Sequence, residues 1–90
     1  MPSVHSDIAT PEGFLLLFEL HIAVAVKSGA MKTGEQVLAE TIKSLPDGVV
    51  NKLKTHEHFW RTLHFNIRHH TLDQVARMLA DGTILRGPLQ

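Results

Sequence analysis

Histidine is the residue type in this chain best suited to binding a transition metal, and five of its seven histidines fall within residues 55–71, THEHFWRTLHFNIRHHT. A zinc site needs three or four ligands that converge at about 2 Å from one point. On a helix, side chains two residues apart, such as His56 and His58, point roughly 200° apart. No two histidines are four residues apart, the spacing that places both on one helical face. A metal site is therefore only an alternative, with the ligands His21, His56, His58 and His64.

The same part of the chain is locally basic and contains aromatic side chains. Proteins that bind single-stranded nucleic acid combine cations for the phosphates with rings on which bases stack. The whole chain, however, has a formal net charge of zero, and four Lys and Arg residues are few for phosphate-dominated affinity. Nucleic-acid binding is therefore a second alternative, and its residues would be Lys52, Lys54, Arg61, Arg68, His69 and His70.

Groups that could carry out covalent catalysis are sparse. The chain has no cysteine, no glycine-rich phosphate loop and no serine in a nucleophile-elbow motif. Glu57, between His56 and His58, is the one candidate acid–base group, and a solvated helix charge explains it more simply. We therefore expect a protein that is not an enzyme and needs no cofactor.

The composition favours self-association. A chain of 90 residues buries a modest fraction of its surface, yet 43% of these residues are hydrophobic and no disulfide is available. Small chains of this kind often gain burial by forming oligomers. The longest apolar run, residues 14–26, contains Glu19 and His21 and is shorter than the about 20 residues that span a membrane. Asp7 and Glu12 precede it where a signal peptide would carry positive charge, so we expect a cytoplasmic protein with no membrane partner.

Capping signals predict an all-α fold, a small bundle of four or five helices. A Thr-Pro-Glu sequence at 10–12 suits a helix start, and capping boxes begin at Thr33 and Thr71. The third helix is either one kinked helix or two that meet near Thr55. The predicted helices are about 11–28, 33–44, 46–69 and 71–81. They form one domain at 10–82, with a flexible lead-in at 1–9 and an extended tail at 83–90.

Two apolar patterns indicate how the helices pack. The first helix is hydrophobic nearly all round, so we expect it to be central and buried on most of its surface, including His21. A heptad seam through the third helix predicts a buried face, on which a histidine should be hydrogen-bonded. Phe65 lies off this seam, where its side chain would be exposed to solvent or would contact a partner. The seam positions are Val49, Leu53, His56, Trp60, Leu63, Ile67 and His70.

These observations together predict a small non-enzymatic regulatory or adaptor protein that acts through protein–protein contacts. Its first partner would be a second copy of the chain, in a homodimer or larger assembly, and another protein is a further candidate. Aromatic side chains dominate interface hot spots, so the expected anchors are Phe59, Trp60 and Phe65.

Overall fold

Five α-helices are present in residues 8–85, the part of the chain that the structure, a computed structural model, describes. Their bounds are α1 Pro11–Lys27, α2 Gly34–Lys43, α3 Asp47–Lys54, α4 Glu57–Arg68 and α5 Leu72–Asp81. Residues 8–85 contain no strand, so the all-α prediction is confirmed. Most of the predicted lead-in at 1–9 and tail at 83–90 lies outside the described residues.

Local hydrogen bonds at the helix starts explain why the predicted bounds agree with the structure. Thr10 caps α1, its hydroxyl oxygen accepting from the backbone N–H of the third following residue. The capping boxes of Thr33 with Gln36 and Thr71 with Gln74 open α2 and α5. Each cap satisfies backbone donors that have no partner within the helix, which stabilises the helix by about 1 kcal/mol.

The segment with the heptad seam forms two helices, α3 and α4. The Thr55 hydroxyl donates to the carbonyl oxygen of Lys52 at 2.7 Å, and His56 leaves the helical region with φ −89° and ψ 74°. Leu53 and Trp60, on either side of the break, remain buried as predicted. His56 itself is exposed, so its predicted burial is wrong. α3 ends at Lys54, so His56 does not continue the helix that would have turned its side chain toward the core.

The core lies between α1 and the helices packed on one side of it. α1 contacts mainly α2 and α5, and α4 also contacts both of these helices. The ring of Phe14 in α1 reaches α4, where its centroid is 5.4 Å from that of Trp60 and 6.3 Å from that of Phe59. Such aromatic pairs contribute about 0.5–1.5 kcal/mol beyond the area they bury. α1 therefore contacts three other helices, as does α4.

None of the helices within residues 8–85 has both the length and the apolar character needed to cross a membrane.

Candidate functional site

The outer face of α1 is a row of exposed aliphatic side chains. Leu16, Leu20 and Val24 are 66%, 59% and 60% exposed, and we call these three residues the α1 stripe. Their four-residue spacing aligns them along one side of the helix. The prediction that α1 is buried on most of its surface is therefore wrong, because α2, α4 and α5 cover only the opposite side. The buried residues of that opposite side are Phe14, Phe18, Ile22 and Ala25.

A concave site adjoins each end of the α1 stripe. Leu16 lines a pocket of about 300 Å³ that α1 shares with Leu79 of α5 and with Leu85 beyond it. Val24 lines a second pocket, of about 250 Å³, between α1 and residues of α2 that include Val37. Contiguous exposed apolar surface marks sites of interaction with other proteins, and these pockets can accept side chains from such a surface.

The two ends of α1 carry exposed charges of opposite sign. Glu12 lies in the first turn and Lys27 in the last turn, where each charge is favourable to the helix dipole. Neither residue forms an ion pair with another described residue. Both charges are therefore available to a partner that covers the stripe.

The three aromatic residues predicted as partner anchors occupy two different environments. Phe59 and Trp60 are only 6% and 9% exposed, because they pack against Phe14 in the core. Phe65 is 39% exposed, and its ring stacks on that of His69 with centroids 4.1 Å apart. Of the three, only Phe65 is accessible to a partner that approaches the folded chain.

Trp60 lines a third pocket, of about 280 Å³, which we call the Trp60 pocket. Its indole Nε1 is buried and donates no hydrogen bond to any described residue. A buried donor without a partner costs about 1–3 kcal/mol. The ring of His64 lies beside the indole, with centroids 5.6 Å apart. The remaining lining residues are Ile42 from α2, Lys54 from α3, and Glu57 and Arg61 from α4.

Local sequence patterns did not indicate the Trp60 pocket. Glu57, Arg61 and His64 have the spacing of one helical face, which was the available signal. Ile42 and Lys54 join them only through packing of α2 and α3 beside α4, which no local pattern indicates.

The predicted metal ligands do not lie close together in the structure. Within residues 8–85, no three His, Cys, Asp or Glu side chains are placed to share one metal ion. His56 and His58 are exposed near the start of α4, His64 is beside Trp60, and His21 belongs to α1. One chain therefore does not assemble a metal site from these four histidines.

His21 links α1 to α2 through a hydrogen bond. Its Nδ1 is 2.7 Å from the hydroxyl oxygen of Thr41, and that hydroxyl donates to the carbonyl oxygen of Val37 at 2.9 Å. Because the single hydroxyl proton of Thr41 is used in this way, its oxygen accepts from His21, and Nδ1 of His21 carries a proton. His21 is half-buried, with a structural role that explains its position.

The six residues predicted to bind nucleic acid, which we call the basic strip, make different contacts in the structure. Arg68 Nε is 3.3 Å from a carboxylate oxygen of Glu35 in α2, and Arg61 is 3.9 Å from Glu57. Two of its four Lys and Arg residues thus have carboxylate neighbours, which reduces the positive charge offered to phosphates. The other members are Lys52, Lys54 and His69, which are exposed, and His70, which is half-buried and donates from Nδ1 to the Asn66 carbonyl oxygen.

Comparison with protein families, with curated proteins and with solved structures finds no match to this chain.

Proposed function

We propose that this chain is a small non-enzymatic regulatory or adaptor protein of the cytoplasm that acts through protein–protein contacts as a homodimer. The α1 stripe is the centre of the proposed dimer interface. The supporting observation is that three large aliphatic side chains are exposed on the helix whose other side forms the core. Burying each such side chain fully is worth about 1.5–3 kcal/mol, which favours a partner that covers them.

A two-fold axis at Leu20 makes the α1 stripe complementary to itself. Two-fold dimers use the same surface on both subunits. In an antiparallel pair of α1 helices centred on Leu20, Leu16 lies opposite Val24 of the partner subunit, and the two Leu20 side chains meet at the axis. Aliphatic side chains then face one another along the whole stripe.

Charge complementarity selects the antiparallel direction. Glu12 precedes Leu20 by eight residues and Lys27 follows it by seven. At about 1.5 Å per residue, Glu12 then comes within about 1.5 Å of the axial level of Lys27 of the partner subunit. A parallel pair would instead place like charges side by side, which is unfavourable.

The pockets beside the α1 stripe provide the additional area that a dimer needs. Stable complexes bury about 800 Å² on each partner, more than three side chains supply. Leu85, beside Leu16 in the pocket with α5, is 37% exposed and extends the apolar surface. The second subunit would cover both the stripe and this pocket.

We favour protein binding over nucleic-acid binding because two cations of the basic strip already have carboxylate neighbours. These cations are Arg61 and Arg68. The side chains of the α1 stripe, by contrast, remain largely exposed in the folded chain. A mobility-shift titration with single-stranded DNA is expected to show no salt-dependent complex. A complex that weakens steeply with added salt would instead favour the nucleic-acid alternative.

Sedimentation of two matched variants tests the position of the interface. Leu20→Glu puts two carboxylates opposite each other at the axis, while leucine and glutamate have similar helix propensities. We expect this variant to be a monomer with unchanged helical circular dichroism. Met31→Glu makes a comparable change at a side chain that is 98% exposed and lies outside α1, and it should remain dimeric. A dimeric Leu20→Glu variant, or an equal effect of both changes, would refute the assignment to α1.

A further inference from the structure

The pocket that the α1 stripe shares with α5, which we call the α1–α5 pocket, is apolar except for two carboxylates. Glu12 and Glu19 supply them, and none of the described residues that line the pocket is a lysine, arginine or histidine. Glu19 is half-buried, and neither glutamate forms an ion pair with a described residue. A nearby cation stabilises a carboxylate that is partly withdrawn from water, so the pocket favours a positively charged occupant. The other lining residues are Leu15, Leu16, Leu79, Gly82, Ile84 and Leu85.

Lys27 is the cation that the proposed dimer brings to the α1–α5 pocket. Glu12, Glu19 and Lys27 follow one another at seven and eight residues, so they share one flank of α1. A two-fold axis perpendicular to α1 at Leu20 places this flank on the same side of the pair in both subunits. Lys27 of the partner subunit then lies at the axial level of Gly13, which is between the two glutamates. It is therefore beside the pocket.

The direction of helical side chains brings this lysine toward Glu19. Long side chains on a helix tilt toward the N-terminus of their own helix. In an antiparallel pair, the tilt therefore moves Lys27 of the partner subunit and Glu19 toward each other, across Leu16. The backbone levels of the two charged residues are about 9 Å apart, a gap that both side chains shorten. The four-carbon stem of a lysine can cover an apolar surface while its ammonium group meets a carboxylate.

We propose that the α1–α5 pocket holds Lys27 of a second copy of the chain, with the lysine stem on Leu16 and the ammonium group donating to Glu19. This inference rests on the proposed dimer and names the charged residues by which one copy recognises another. Because a two-fold dimer makes every contact twice, changing one of these charges alters two contacts.

Two charge reversals test this contact by sedimentation equilibrium. Lys27→Glu adds a third carboxylate at each pocket of its dimer, and Glu19→Lys places a cation opposite Lys27 of the partner subunit. We expect each variant alone to dimerise about tenfold more weakly than the unmodified chain, because like charges then meet twice. An equal mixture of the two variants should regain the affinity of the unmodified chain, since both pockets of the mixed dimer pair opposite charges. That recovery also shows that both variants fold.

Lys43→Glu is the matched control, because Lys43 is an exposed lysine in the last turn of α2, as Lys27 is in α1. It should leave the dimer affinity unchanged. The pocket assignment is overturned if Lys27→Glu weakens the dimer no more than Lys43→Glu, or if the mixture dimerises as weakly as its components. A pocket that binds a cation of a different protein would give the first of these results.

The unmodified chain and Leu20→Glu separate failure of this assignment from failure of the dimer. A dimer that Leu20→Glu disrupts and the two charge reversals leave intact would refute only the place of Lys27 in the α1–α5 pocket. An unmodified chain that stays monomeric would refute both the dimer and this inference.

Discussion

The side-chain amide of Asn66 donates a hydrogen bond of 2.6 Å to the carbonyl oxygen of Ile84, which joins α4 to the segment after α5. Both residues are buried, at 3% and 2% exposure. The described part of the predicted tail therefore includes a core residue, Ile84. Because Leu85 beside it lines the pocket next to the α1 stripe, this hydrogen bond also positions one edge of the proposed interface.

Replacing Asn66 tests how much this hydrogen bond stabilises the fold. Asn66→Leu keeps a similar volume but leaves the buried Ile84 carbonyl oxygen without its donor, so the free energy of unfolding should fall by about 1–3 kcal/mol. Urea denaturation followed by circular dichroism measures the change. Asn51→Leu, at an exposed position of α3, is the control and should have little effect. Equal stability of the Asn66 variant and the unmodified chain would show that the contact is unimportant.

Gly34, the first residue of α2, lies against Ile67 of α4. A Cβ atom at this position would lie 2.9 Å from Cγ2 of Ile67, so Gly34→Ala should destabilise the fold by about 1–3 kcal/mol through overpacking. Gly48 in α3 has no atom within 4 Å of its Cβ position. Gly48→Ala should instead stabilise the helix, by up to about 1 kcal/mol. Thermal unfolding of the two variants should show shifts of opposite sign, and a stabilising Gly34→Ala would contradict the packing described between α2 and α4.

Thr41 provides a third test, at the link between α1 and α2. Thr41→Val removes the hydroxyl that accepts from His21 while keeping the side-chain shape, and should lower the free energy of unfolding by about 1–3 kcal/mol. Thr62 is also buried, and its hydroxyl makes no hydrogen bond to another described residue, so Thr62→Val is the matched control. Chemical denaturation compares them. A loss of stability that is no larger for Thr41→Val than for Thr62→Val would argue against the role assigned to His21.

The helices were predictable because their ends depend on short-range chemistry. The capping box of Thr33 with Gln36 involves residues three apart in the chain, so the sequence already contains both partners. The break at Thr55 and His56 was only one of two alternatives, because a heptad pattern continues across it. Local hydrogen bonds of Thr55, which the apolar spacing does not reveal, accompany the break.

The exposure of residues was harder to predict because it depends on which helices meet. Leu20 and Ile22 are both aliphatic residues of one apolar helix, yet one is 59% exposed and the other is fully buried. Periodicity could not separate them, since nearly every position of α1 is hydrophobic. At Phe59 the aromatic residue type suggested a contact with a partner, whereas tertiary packing places the ring in the core of the folded chain. For the Trp60 pocket, Ile42 and Lys54 come from two other helices, so no single segment contained the signal.

The solution mass of the unmodified chain is the measurement that tests the proposed homodimer most directly. Sedimentation equilibrium over a range of concentrations should give a mass that rises to twice the 10.0 kDa of one chain. The same experiment on Leu20→Glu should give the mass of a single chain throughout. A mass of 10.0 kDa for the unmodified chain at every concentration would show that the α1 stripe does not bind a second copy, and would contradict the proposal.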